Sequence, residues 1–299
     1  MNIKIKKGLD LNVLGEAERE LAIAPIIEDY AVQPVDFVGM MPKLLVEEGQ
    51  QVCAGDALFY DKRRPEVLFC TPVDGVVKSV VRGAKRKLLA VVITANAEQA
   101  PASEGFTAPE NVREFLCQKG MWTALRQRPF GIVANPAASP KAIFVSGFDS
   151  APCAADTDFV LEGQTEFVQK GISALKKMTG VAVHFSLNGD SYCKSPLHKM
   201  DDIVPHIFEG RHPAGNVGIQ IHNISPILKG ETVWTLSLEP VIFIGRLFLE
   251  GKVDLTKTVA LVGSEVKDPH YLKLKMEAIF KGPYRVIGNF PYNISSQIF

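Results

Sequence analysis

Apolar residues between Ala31 and Thr94 fall in short runs, V-Q-P-V-D-F-V, then K-L-L-V-E-E-G-Q-Q-V-C-A-G-D-A-L-F, then V-L-F-C-T-P-V-D-G-V-V-K-S-V-V. Glu48-Gly49, Gly55-Asp56 and Asp74-Gly75 separate them, so the pattern predicts short strands joined by tight turns. Further on the period changes. From Glu110 to Arg126 the residues Val112, Phe115, Leu116, Met121, Trp122 and Leu125 recur at helical spacing, and Glu166 to Thr179 repeats this with Phe167, Gly171, Ile172, Leu175 and Met178 inward. Two apolar strands, Ala142 to Gly147 and Val181 to Leu187, flank that second helix. Strand, helix and strand in this order predict a Rossmann-like α/β core. The stretch from Arg211 to Gly251 then opens on the turn His212-Pro213-Ala214-Gly215, closely followed by Gly218. Ile219 and Ile221 alternate with Gln220 and His222, which predicts a half-buried strand. A second strand is predicted over Thr232 to Leu238, and a buried helix from Pro240 to Leu249, stopped by Gly251.

Composition narrows the picture. With 33 basic and 33 acidic residues among 299, no global field draws the chain to nucleic acid or anionic lipid, although local patches remain open. The length fits about two domains. The longest apolar run, Val241 to Leu249, is interrupted by Gly245 and Arg246, so no span of a bilayer is predicted. The opening MNIKIKKGLD carries charge without a following apolar segment, unlike a secretory signal. Between Ala95 and Pro109 the sequence is rich in Ala, Glu, Pro, Ser and Gly and reads as a linker.

Candidate chemistry is sparse. Cys53, Cys70, Cys117, Cys153 and Cys193 are odd in number and scattered, which argues for free buried thiols rather than a disulfide framework, a zinc ribbon or an iron–sulfur cluster. The six histidines, His184, His198, His206, His212, His222 and His270, make no short ligand motif; His212 and His222 flank one turn but read as loop-holding residues. No G-x-S-x-G, G-x-G-x-x-G or G-x-x-x-x-G-K-[ST] occurs. After the strand Ala142 to Ser146 stands only Gly147, and Asp149 and Asp156 read as loop caps rather than ribose ligands. No catalytic, cofactor-binding or metal residue is nominated.

Several separated segments carry a family resemblance. The turn HPAG with its following G and IH, then VW, then VI-IG-LF--G, the opening Ile3 to Asp10, the segment Leu58 to Gly75, and Leu125 to Gly131 resemble the A subunits of the sodium-translocating NADH:quinone oxidoreductases, over residues 1 to about 271. The wording V-E-x-G-x-x-V-x-x-G-x-x-L followed by P-x-x-G-x-V is similar to the barrel-sandwich fold of biotinyl and lipoyl domains. Lys62 falls nearly where a lipoyl domain presents its modified lysine, but Arg63, Arg64 and Pro65 make a bulky flank, and a solvated turn lysine is the preferred reading.

The resemblance implies an α+β multidomain chain: a barrel-sandwich domain over 1–98, a linker over 99–111, a Rossmann-like domain over 112–256 and the start of a β-grasp domain over 257–271. From 272 the wording departs. Val286 to Phe299 resembles a fragment of ribosomal-RNA dimethyladenosine transferases, with Asn289, Phe290, Pro291 and Tyr292 as the base-stacking loop. That makes 272–299 a foreign-looking tail, and Lys273 to Phe280 fits an amphipathic helix. The resemblance further implies a peripheral subunit on the cytoplasmic face of the bacterial inner membrane, similar to the flavin-bearing, NADH-binding subunit of respiratory complex I without its flavin and NADH pockets. The whole complex would use NADH, flavins, an iron–sulfur centre and ubiquinone to export sodium. This chain would hold none of those cofactors, would dock on the membrane and peripheral subunits near the quinone end, and would bind no nucleic acid. A lipoyl-like carrier module is the alternative.

Overall fold

The computed structural model describes residues 1–11, 13–97, 107–191, 195–264 and 266–279. The chain forms two units. The first takes Met1–Ala24, Ala124–Leu249 and Lys257–Leu274; the second takes Pro25–Thr123, Glu250–Thr256 and, of the described residues that follow, 275–279.

In the first unit a seven-stranded sheet runs in the order Asn2–Lys4, Val204–Glu209, Val183–Asn188, Ile143–Ser146, Val233–Ser237, Arg126–Arg128 and Ile132–Val133. The first five strands are parallel, and the last two form an antiparallel edge. The central strands are apolar on both faces, with Ile143, Phe144, Val145, Val183, Phe185, Val233 and Trp234 all buried. Such continuous burial requires cover on both sides. Part of it comes from the helix Thr165–Thr179, which ends where Gly180 turns left-handed at φ 69°, and the helix Leu238–Glu250, stopped by Gly251 at φ 70°. These two helices meet through glycine. A Cβ on Gly171 would lie 2.1 Å from the Val241 carbonyl oxygen, and one on Gly245 would lie 1.8 Å from that of Phe167.

The predicted strand through Ile219 and Ile221 is instead a helix, Val217–Ile224. Val217, Ile221 and Ile224 stand at helical spacing and pack on Ala142, Phe144 and Val233, so the four-residue period outweighs the alternation that Gln220 and His222 suggest. Neither glycine of that turn has positive φ. Gly215 is needed for close approach, since its Cβ would meet the Ser150 amide nitrogen at 2.5 Å, whereas Gly218 faces open space.

A three-stranded sheet of Thr256–Leu261, His270–Lys275 and Leu21–Ala22 also has most of its residues in this unit. The predicted helix Lys273 to Phe280 is therefore corrected over its described residues: 273–275 are strand, and 276–279 form a turn and a β-bridge from Ala278 to Tyr30. Leu272 and Leu274 alternate with Lys273 and Lys275, a period of two, and Leu272 is buried. Residues 280–299, including Asn289 to Tyr292, lie outside the described residues.

The second unit is the barrel sandwich. One sheet orders Asp29–Val32, Leu88–Ala95, Gly75–Arg82 and Gln51–Val52; the other orders Pro42–Leu44, Ala57–Asp61 and Arg64–Cys70, all antiparallel. Gly49 at φ 84° and Gly55 at φ 92° make two of the predicted turns, where a side chain would be strained. Phe59 and Phe69, both buried, stack at 5.1 Å across paired strands, and Phe37 meets Phe69 edge-on at 4.6 Å.

The predicted helix from Glu110 to Arg126 is shorter, Val112–Gln118. Asn111 caps it, its side chain accepting from the Glu114 amide at 3.2 Å, and Gly120 at φ 73° breaks it before a 3₁₀ turn at Met121–Ala124. The division into units departs from the expected boundaries. Residues 1–24 belong with the α/β sheet because Asn2–Lys4 pairs with Val204–Glu209, and residues 112–123 and 250–256 belong with the barrel sandwich.

Candidate functional site

In a parallel α/β sheet the ligand position lies beyond the carboxyl ends of the strands. At the end of Ile143–Ser146, Gly147 N–H donates to the Ser186 carbonyl and Ala151 N–H to Asp149 Oδ1. The Gly215 N–H of the HPAG turn donates to Ser150 Oγ at 2.8 Å, and Ser150 Oγ lies 3.1 Å from His212 Nδ1. The buried Gln220 Nε2 donates to Ser146 Oγ at 2.9 Å, and that oxygen lies 3.0 Å from the Gly215 carbonyl. The Gly147, Ala151 and Gly215 amides are thus engaged within the protein. Asp149 acts as a loop cap, and Asp156 caps Thr157–Val160 by accepting from Asp158 and Phe159.

His212 is held by Ser150, and His222 is exposed on its helix. The structure pairs two other histidines. His184 Nδ1 and His206 Nε2 stand 2.9 Å apart across neighbouring strands, a contact that their separation of 22 residues hides in the sequence. Burial lowers the pKa of both rings and takes His206 to about 4, helped by His184 and the N-terminus. The unfolded chain therefore takes up protons below about 6.5 that the folded chain refuses. Stability is expected to be level above that pH and to fall as pH drops towards 4, by roughly 2–3 kcal/mol. Urea titrations across this range check it: His206→Phe should flatten the slope, and an unchanged slope would exonerate the pair.

Of the described cysteines only Cys117 is fully buried; Cys53 is exposed, and Cys70 and Cys153 lie between, all free. This corrects the uniformly buried reading. Burial pushes Cys70 and Cys117 up to about 12, so neither is a thiolate near neutrality. Among the described residues no group of three or more His, Cys, Asp or Glu is placed to hold a metal ion.

A cleft of about 370 Å³ opens on the barrel-sandwich unit. Met40, Met41, Pro42, Leu44 and Leu88 line it together with Lys62, Arg82, Arg86 and Lys87. Lys62 is exposed at the tip of the two-residue hairpin between Ala57–Asp61 and Arg64–Cys70, as its sequence position predicted. The buried Asp61 fixes that tip by accepting from the amides of Met41 and Arg63, both at 3.1 Å. Of the other three cations, Arg82 ends the strand Gly75–Arg82, and Arg86 and Lys87 lie on the turn that joins it to Leu88–Ala95. There Lys85 (φ 55°) and Arg86 (φ 59°) are both left-handed without being glycine, each at a cost on the order of 1 kcal/mol. None of the four lining cations forms an ion pair with a described residue. Overall neutrality conceals this patch; the run Gly83-Ala84-Lys85-Arg86-Lys87 was its sequence signal.

Two family models match in chain order: the NqrA N-terminal barrel-sandwich hybrid domain over residues 3–96 and the NqrA second alpha/beta domain over 107–253. The chain belongs to the NqrA family. Curated relatives agree. The A subunit of the Na(+)-translocating NADH-quinone reductase from a Neisseria meningitidis serogroup A strain is 38% identical, over 92% of this chain and 63% of its own length. The protein of that name from a Yersinia pseudotuberculosis serotype O:1b strain is 36% identical, over 94% and 64%. This NqrA-family chain therefore spans a little under two thirds of the length of these relatives. No helix among its described residues is long and apolar enough to cross a membrane.

Proposed function

We propose that the chain acts as a peripheral subunit of a sodium-translocating NADH:quinone reductase. In this reading it sits at the cytoplasmic face of the membrane, docks on the membrane and peripheral subunits near the quinone end, and helps shape quinone binding. NADH oxidation, the flavins, the iron–sulfur centre and the sodium path belong to the other subunits. The observation that carries the reading is the succession of the two family models along one chain that forms a barrel-sandwich unit and an α/β unit. The strand Ile143–Ser146 is followed by a single glycine, Gly147, whose amide is already bonded to Ser186, which supports a chain without its own nucleotide cradle.

The test is affinity purification of a tagged copy from membranes of its native host. The tag is expected to bring down NADH:quinone reductase activity stimulated by sodium, while the chain dissociated from the complex shows no visible flavin absorbance. Recovery of the chain without that activity would overturn the reading. An added lipoyl mass on Lys62 would assign it to carrier chemistry instead.

A further inference from the structure

The cleft of the barrel-sandwich unit combines two kinds of lining that a soluble protein seldom leaves together in water. Lys62, Arg82, Arg86 and Lys87 supply positive charge with no paired carboxylate among the described residues, and Met40, Met41, Pro42, Leu44 and Leu88 supply an apolar wall. The apolar character extends along the segment leading into it, where Val38 is 64% exposed and Met41 46%. The backbone holds Lys85 and Arg86 left-handed, a conformation that Asn-Gly would adopt with less strain. Arg82 Nη1 donates to the Arg86 carbonyl at 3.3 Å and ties the turn to its strand.

We propose that this cleft binds the phosphate headgroup of an anionic phospholipid, the cations meeting the phosphate and the methionine–leucine wall meeting the start of the acyl chains. The amphipathic lining selects this occupant. A free phosphate would leave the apolar wall in water, and single-stranded nucleic acid would call for aromatic platforms that the lining lacks. The choice of a membrane as the source of the phosphate rests on the reading given under Proposed function.

The purified full chain is tested by cosedimentation with vesicles of phosphatidylcholine alone and of phosphatidylcholine mixed with phosphatidylglycerol. It should sediment with the mixed vesicles only. Lys62→Glu and Lys87→Glu should each weaken this at least about fivefold, the factor that one cation near an anionic surface contributes. The pair Lys85→Asn and Arg86→Gly should weaken binding while raising the melting midpoint, which separates lost affinity from lost folding. Met41→Ser should remove the part of the binding that survives high salt.

Equal binding to both vesicles, no binding, or charge variants that bind like the parent would overturn the proposal. Displacement by inorganic phosphate would overturn it in favour of a soluble anion, and capture by polyglutamate but not by vesicles in favour of an acidic protein surface. Recovery of reductase activity with the tagged chain but no vesicle binding would defeat this inference alone. Vesicle binding without recovered activity would defeat only the proposed place in the reductase.

Discussion

Gly245→Val is expected to lower the stability of the α/β unit by at least about 3 kcal/mol, the range of severe overpacking. The helix carrying Gly245 meets the Phe167 carbonyl where a Cβ would lie 1.8 Å away, and the helix carrying Gly171 meets the Val241 carbonyl at 2.1 Å. Both obstacles are backbone, which cannot swing aside as a flexible side chain does. The helices would have to separate, and Val168, Ile172, Val241 and Ile244, all buried, would lose packing. Gly218→Ala is the control. Its Cβ meets nothing within 4 Å and its φ is ordinary, so on the helix Val217–Ile224 alanine should be neutral or stabilising by roughly 0.4–1 kcal/mol. Thermal melts of the two variants decide the matter; a Gly245→Val protein melting with the parent would show that these helices do not touch.

Ending the chain after Tyr271 rather than after Ile279 is expected to cost several degrees of melting temperature. Read from the sequence, everything beyond Tyr271 is a foreign-looking tail; the structure corrects this for 272–279. Leu272 is buried and pairs with Ala22 in the sheet of the α/β unit. In the barrel-sandwich unit Met276 N–H donates to the Leu255 carbonyl, Ile279 N–H to the Asp29 carbonyl, and Ala31 N–H to the Glu277 carbonyl. Burial of one leucine is worth roughly 1.5–3 kcal/mol, and each backbone bond adds about 0.5–1.5 kcal/mol. Comparing the two truncations isolates these eight residues from whatever follows. Coincident melts would return the boundary to Tyr271.

Much of this architecture was legible because it is local. The barrel-sandwich strands alternate with period two between turn glycines, and the helix Thr165–Thr179 shows its own stripe. What escaped depended on partners distant in sequence. Val217–Ile224 carries both a two-residue and a four-residue pattern, and only the surface offered by Phe144 and Val233 selects the helix. His184 and His206 become neighbours through strand register alone. The basic cleft gathers Lys62 and the 82–87 turn from separate hairpins, where an overall charge of zero gives no hint of it.

The strand Asn2–Lys4 has a consequence for synthesis on the ribosome. Asn2 is opposite Ile207, so these early residues must wait for roughly two hundred others before their edge of the sheet can form. The segment from Pro25 to Thr123, by contrast, contains all seven strands of the barrel sandwich and is available long before. That module can therefore assemble first, as a folded insertion between two pieces of an unfinished sheet. The strand Asn2–Lys4, meanwhile, stays unpaired until Val204–Glu209 arrives.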